Sequence, residues 1–186
     1  MFEMTNPVPV SFVGGESGVW HIERIDAVVG QALPAAPRLS VLEGPTACAT
    51  GPVRWILRGA TSNTRYTTRA EVEVLVARQA GLNRPEATRA ALIPIRKSAA
   101  WWALAQDERR AIFEEQSRHI HIGLDVLPGV ARRLHHAREL GEPFDFLTWF
   151  EYAPDQADAF EAMVSRLRDT PEWAFVEHEV DIRLGR

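Results

Sequence analysis

The strongest constraint on this chain is the order in which its hydrophobic patterns change after residue 88. Residues 88–95 form an apolar strand pattern. Asp107 is a good helix N-cap, and the helical pattern that starts there is expected to run to about Val126, before Pro128 stops it. Residues 132–138 read as a strand. A turn over residues 141–143 leads into a second, aromatic strand over residues 144–152. Pro154 opens a helix over residues 155–168. Val180, Ile182 and Leu184 then alternate on one face of a last strand over residues 177–184.

Strand, helix, strand, strand, helix, strand is the ferredoxin-like order, an α+β arrangement in which helices flank an antiparallel β-sheet or barrel. Residues 88–186 are therefore expected to form a complete ferredoxin-like lobe, and residues 1–87 a shortened copy of it. In the first lobe, strands are expected over residues 8–13, 19–25 and 52–59, with Gly14-Gly15 as a turn. Residues 31–50 are rich in Pro, Ala and Gly and read as a long loop or short irregular helix. Residues 61–66 are polar and leave the strand end. Val72, Leu75, Val76 and Gln79 at helical spacing predict a helix over residues 69–80. No internal sequence repeat accompanies the proposed copy.

Composition removes several function classes. A chain of 186 residues has room for one well-packed domain or two fused lobes. Its net charge of -4 gives no reason to expect nucleic acid or an anionic membrane as partner. Cys48 is the single cysteine, so disulfides, iron–sulfur clusters and cysteine-rich zinc sites within the chain drop out. A reducing, cytoplasmic setting is expected, because residues 1–15 lack the basic start and apolar run of a secretory signal. No apolar stretch approaches the ~18 residues of a membrane span.

Two histidines stand out on the expected 107–126 helix. His119 and His121 lie about 200° apart around a helix, so they face nearly opposite ways and do not share one metal. His119 shares its face with Ile112, Gln116 and Gly123; His121 lies beside Ser117 and Asp125. Gly123, one turn beyond His119, removes a side chain where a broad planar ligand can approach. On the pattern alone, a hydrogen-bonded core histidine beside a packing glycine is the favoured reading, because lone histidines on helices are common. No CxxC or HExxH accompanies the pair, which speaks against a conventional zinc site.

Several segments together resemble the chlorite dismutases, most closely the short, dimeric type of that haem-protein superfamily. They are KSAAWW at 97–102, DERRAIFEEQSRH at 107–119, RHIHIGLDVLPGVARRLHHARELGEPFDFLTWFEYAP at 118–154 and EWAFVEHEVDIR at 172–183, with a weaker match in RGATSNTRY at 58–66. The resemblance runs from about residue 50 to the end. It implies haem b as cofactor, His119 as the proximal iron ligand and Arg132 as the distal arginine. Glu172 would hydrogen-bond the ligand and Lys97 would support Glu172. Trp101 and Trp102 match a tryptophan pair near the haem edge, and Tyr66 a tyrosine beside a propionate. Gln79 matches a glutamine that some distal pockets carry near the arginine. Alternation along the strand turns Arg133 away from Arg132.

The resemblance implies an enzyme that converts chlorite to chloride and dioxygen, through a ferryl species and a transient hypochlorite held by the arginine. A carboxylate behind the imidazole fixes its tautomer and raises its basicity. A permanently charged guanidinium attracts the anion and retains the intermediate. Leu127 and Phe146 are expected as apolar neighbours that exclude water. The implied assembly is a homodimer. Alternatives of other kinds are a non-catalytic haem-binding or sensor protein, and a coproporphyrin-type haem decarboxylase, whose members are longer and generally lack the distal arginine.

Overall fold

A computed structural model describes residues 7–61 and 65–186. Eight antiparallel strands close into one barrel. They are β1 (Pro9–Gly15), β2 (Trp20–Val29), β3 (Arg38–Glu43), β4 (Val53–Thr61), β5 (Arg89–Lys97), β6 (Val130–His136), β7 (Phe146–Tyr152) and β8 (Val176–Gly185). The order around the barrel is β1-β3-β2-β8-β5-β7-β6-β4, and β4 pairs back onto β1. Within the second half the order is β8-β5-β7-β6, and within the first it is β4-β1-β3-β2. Each half thus places its fourth, first, third and second strands side by side, the ferredoxin-like order.

The halves differ in their crossovers. In the second half, β5 reaches β6 through α2 (Ala99–Ala103), α3 (Gln106–Arg110) and α4 (His119–Leu124), while β7 reaches β8 through α5 (Ala157–Arg168). In the first half, short loops replace both crossovers, and one helix, α1 (Arg69–Arg78), follows β4. Among the described residues, the halves meet along a long β2–β8 seam and a short β4–β6 seam that pairs Ala60 with His136 and Thr61 with His135.

Alternation along the strands makes two cores. Phe12, Trp20, Leu39, Trp55, Leu92, Leu147, Trp149 and Ile182 fill the barrel interior. The outer face of the second half carries Ala91, Ile93, Ile95, Val130 and Phe150, packed under Phe160, Met163, Val164 and Leu167 of α5. In the first half, Val28 and Val29 of β2 are exposed.

Two expectations need correction. The segment read as loop contains β3, whose Leu39 enters the barrel core. The helix expected over residues 107–126 is broken. After α3 the chain widens into π-helical turns over Ala111–Gln116, Arg118 adopts a left-handed backbone with φ 53°, and α4 begins at His119. A left-handed non-glycine residue costs about 1–2 kcal/mol. Two contacts hold it: the Glu114 carboxylate accepts the Ile120 main-chain N–H at 2.6 Å, and Ser117 Oγ accepts the Glu172 N–H at 2.9 Å. The shared faces of His119 with Ile112 and Gln116, and of His121 with Ser117, therefore do not apply across the break. The expected loop over residues 61–66 lies partly outside the described residues.

Candidate functional site

A cavity of about 430 Å³ opens between the outer face of β5, β6 and β7 and the helices that cover it, a size in the ~300–1,000 Å³ range of cofactor sites. His119, Glu172, Lys97, Trp101, Tyr66, Phe146, Arg132 and Gln79 all border it. Leu127 and Trp102 do not. Leu127 lies past the end of α4, and Trp102 stacks on the Phe146 ring, centroids 6.0 Å apart, from outside the lining. His121 is exposed, whereas His119 lines the cavity.

One wall is a closed relay. His119 Nδ1 lies 2.7 Å from Glu172 Oε2, and Lys97 Nζ donates to Glu172 Oε1 at 2.7 Å. Glu172 sits in the turn Pro171–Phe175, and both it and Lys97 are buried. Burial alone would raise the Glu172 pKa. The charges on His119 and Lys97, with their hydrogen bonds, outweigh that and hold it at about 2. With Nδ1 turned to a carboxylate acceptor, the neutral imidazole keeps its proton there and leaves Nε2 as the electron-pair donor. Phe113 stacks on the imidazole at 4.4 Å between centroids and Trp173 at 6.2 Å.

The opposite wall is β6. Register places Val130, Arg132, Leu134 and His136 against Tyr152, Phe150, Thr148 and Phe146 of β7. Arg132 projects to the cavity; Arg133 also borders it, but its guanidinium donates to His135 Nε2 at 3.1 Å and pairs with Glu43. No hydrogen bond or ion pair engages the Arg132 guanidinium among the described residues. Desolvation pulls its pKa below the usual arginine range, but that range is so high that the charge persists at working pH. The guanidinium lies over Gly123, where an added Cβ would sit 3.5 Å from Nη1. Gln79 Nε2 donates to the Arg132 main-chain oxygen at 2.6 Å.

Sequence reasoning missed Asp145, Ser117, Phe113 and Glu179. Buried Asp145 accepts the Lys97 main-chain N–H at 2.7 Å and the Trp102 indole N–H at 3.1 Å, and so anchors the end of β5. A carboxylate between Phe144 and Phe146 was the available signal. Ser117 carried none, because its role depends on a partner 55 residues away.

The donor set suits a broad group that brings its own metal ligands. His119 Nε2 has no partner among the described residues, and the buried Trp101 indole N–H lacks an acceptor. No group of three or more His, Cys, Asp or Glu among the described residues is arranged to hold a bare ion. Fold and cavity together define an α+β barrel protein with one carboxylate-backed imidazole on the wall of a cavity of cofactor size.

The comparisons with known proteins agree on one family. A family model described as chlorite dismutase matches residues 47–186. The crystal structure of dimeric chlorite dismutases from Nitrobacter winogradskyi has a TM-score of 0.87 at 56% identity, covering 95% of this chain and 99% of that one. A chlorite dismutase from Candidatus Nitrospira defluvii, solved in complex with imidazole, has a TM-score of 0.68 at 18% identity over 98% of this chain and 93% of its own. Identity that low speaks for the fold alone. A curated chlorite dismutase from Ideonella dechloratans is 34% identical over 81 residues, which is 44% of this chain and 26% of that protein's length. The chain belongs to the chlorite dismutase family, a family of haem proteins.

Proposed function

We propose that this chain binds haem b through His119 and converts chlorite to chloride and dioxygen, with Arg132 as the catalytic residue. The observation that carries the proposal is one cavity with the Lys97–Glu172–His119 relay on one wall and an uncommitted guanidinium on the other. Bound haem supplies an open iron position at which a chlorine–oxygen bond can break and an oxygen–oxygen bond can form.

The protein's own residues divide the remaining work. Glu172 keeps the His119 proton on Nδ1 and orients the ring, which makes Nε2 a stronger donor. Lys97 keeps Glu172 ionised. Arg132 attracts the chlorite anion and then holds the chlorine monoxide fragment close until recombination. Phe146, Phe150 and Leu134 exclude water around that cation and strengthen its field. The reaction consumes one chlorite and releases one chloride and one dioxygen, so no external electron or proton is required. Trp101 and Tyr66 fit the polar edge of the cofactor: Trp101 through its free N–H, Tyr66 through a hydroxyl that accepts from Arg109 Nη1 at 3.1 Å.

The same reading includes a homodimer, supported by the 56% identical relative described as dimeric. The test of function is an oxygen-electrode assay of haem-loaded protein given chlorite. Dioxygen release in proportion to chlorite consumed is the expected result. A protein that shows a Soret band yet releases no dioxygen is a haem binder or sensor, and the enzymatic reading fails.

A further inference from the structure

Trp173 meets two conditions that no other tryptophan of the described residues meets together. Its ring lies nearly parallel to the His119 imidazole, with planes 23° apart. Its indole N–H donates to Oε2 of Glu179 at 2.8 Å, and Glu179 is fully buried. Oε1 of Glu179 is taken by Arg168, through Nε at 2.9 Å and Nη2 at 2.6 Å, which leaves Oε2 to the indole. Trp173 and Glu179 both line the cavity.

The other five tryptophans fail one condition or both. Trp101 lines the cavity, but its N–H has no acceptor, and the Lys97 ammonium lies 4.7 Å from its ring centre. Trp102 donates to Asp145, but it lies outside the lining, with the Arg138 guanidinium 4.0 Å over its face. A cation held over an indole face is stabilised by the ring electrons, so it makes removal of one of those electrons harder. Lys97 lies farther from Trp173, at 5.4 Å. Trp20, Trp55 and Trp149 belong to the barrel interior.

We propose that Trp173 is a one-electron donor to the oxidised haem held by His119, with Glu179 as the acceptor of its N–H proton. The proposal rests on the haem reading above. The indole loses one electron through the stacked imidazole, and the haem centre is reduced by that electron. The N–H proton crosses to Oε2 of Glu179, leaving a neutral indolyl radical and a neutral carboxylic acid. Arg168 then keeps its charge partner in Asp181, at 2.7 Å. Whenever a chlorine fragment escapes, oxidising equivalents remain on the cofactor side of the reaction. Trp173 gives them one defined destination, and its half-buried ring leaves it within reach of an external reductant.

The test is rapid-freeze electron paramagnetic resonance of haem-loaded protein mixed with one equivalent of peracetic acid. A tryptophanyl signal is expected in the native protein. Trp173→Phe should lose it, whereas Trp102→Phe should keep it. Glu179→Gln should lower its yield while the resting haem spectrum stays unchanged. A signal that survives in Trp173→Phe overturns the proposal. If that variant does not fold, Glu179→Gln and peptide mapping decide. Oxidation products at Trp173 after turnover support the assignment; products at Trp101 or Trp102 alone overturn it. Protein that takes up no haem overturns the functional reading and this one together. Haem-loaded protein that releases dioxygen but forms no tryptophanyl radical overturns this one only.

Discussion

Lys97 and Arg132 are both cations beside one cavity, yet their surroundings differ in kind. Lys97 is closed off by Glu172 at 2.7 Å, and Glu172 is closed off by His119. Arg132 has no acidic partner among the described residues, although burial depresses its pKa. A buried pair with its hydrogen bonds satisfied fixes geometry; breaking one by removing a partner costs about 3–5 kcal/mol. A desolvated cation without a partner adds nothing to the fold and is useful only to an arriving anion. On the proposed function, the wall behind His119 stays still and the wall in front of it receives the anion.

If that division holds, substitutions on the two walls give different symptoms. The largest effect is expected for His119→Ala, which removes the proposed metal donor. Haem affinity, read by Soret titration, should fall by more than about 100-fold, since losing even a supporting contact costs 10–100-fold. Unchanged haem loading would remove His119 as the ligand. Arg132→Ala should do the opposite: full haem loading, with turnover lower by about 10²–10³-fold and more hypochlorite caught by a chlorination trap. Native turnover and no added escape would show that the front wall is inert.

Glu172→Gln sharpens the comparison from behind. Haem affinity should fall by about 10–100-fold, and the iron reduction potential should rise as the imidazole becomes less basic. The same variant tests the acid limb of stability. The folded-state pKa of Glu172 is lowered to about 2 from 4.5. Its stabilisation is therefore complete above the ordinary value and is lost as pH falls through about 2. By linkage it amounts to roughly 3 kcal/mol at most, and the part due to an imidazolium charge is present only while His119 is protonated. Urea unfolding of haem-free protein, followed from neutral to strongly acid pH, should show this limb in the native chain and a flatter one in Glu172→Gln. Identical slopes would mean that the relay does not hold the carboxylate charged.

How much of this was legible beforehand follows from the range of the interactions. The second half of the barrel could be read because each strand alternates against a helix-covered face. Strand β3 was hidden because Pro34, Pro37 and Pro45 surround Leu39 and Val41, and local composition outweighed a six-residue alternation. The break at Ser117 and Arg118 depends on Glu114 close by and on the main chain at Glu172, and the second contact is invisible to a local pattern. Within the site, helix geometry set His119 and His121 on opposite faces, and strand alternation set Arg132 apart from Arg133. Glu172, Lys97, Trp101 and Tyr66 came from family resemblance, and the cavity gathers them. Leu127 and Trp102 were placed too close, because chain neighbourhood to the site is not contact with it.

The smallest expected effect belongs to Gln79, and it tests how far the front wall depends on Arg132 alone. Among the described residues, β4 pairs with β6 at His135 and His136, short of Arg132. Gln79, at the end of α1, donates to the Arg132 carbonyl, whereas no hydrogen bond joins it to the guanidinium among the described residues. An exposed hydrogen bond of this kind contributes about 0.5–1.5 kcal/mol. Gln79→Ala should therefore loosen the β6 edge slightly and lower turnover by less than about tenfold, the ratio that 1.4 kcal/mol would give. Hypochlorite escape should stay at the native level, because the cation that retains the fragment is still in place. Escape as large as that of Arg132→Ala would show that the guanidinium is positioned through its own main chain by α1, and the front wall would then be a second relay.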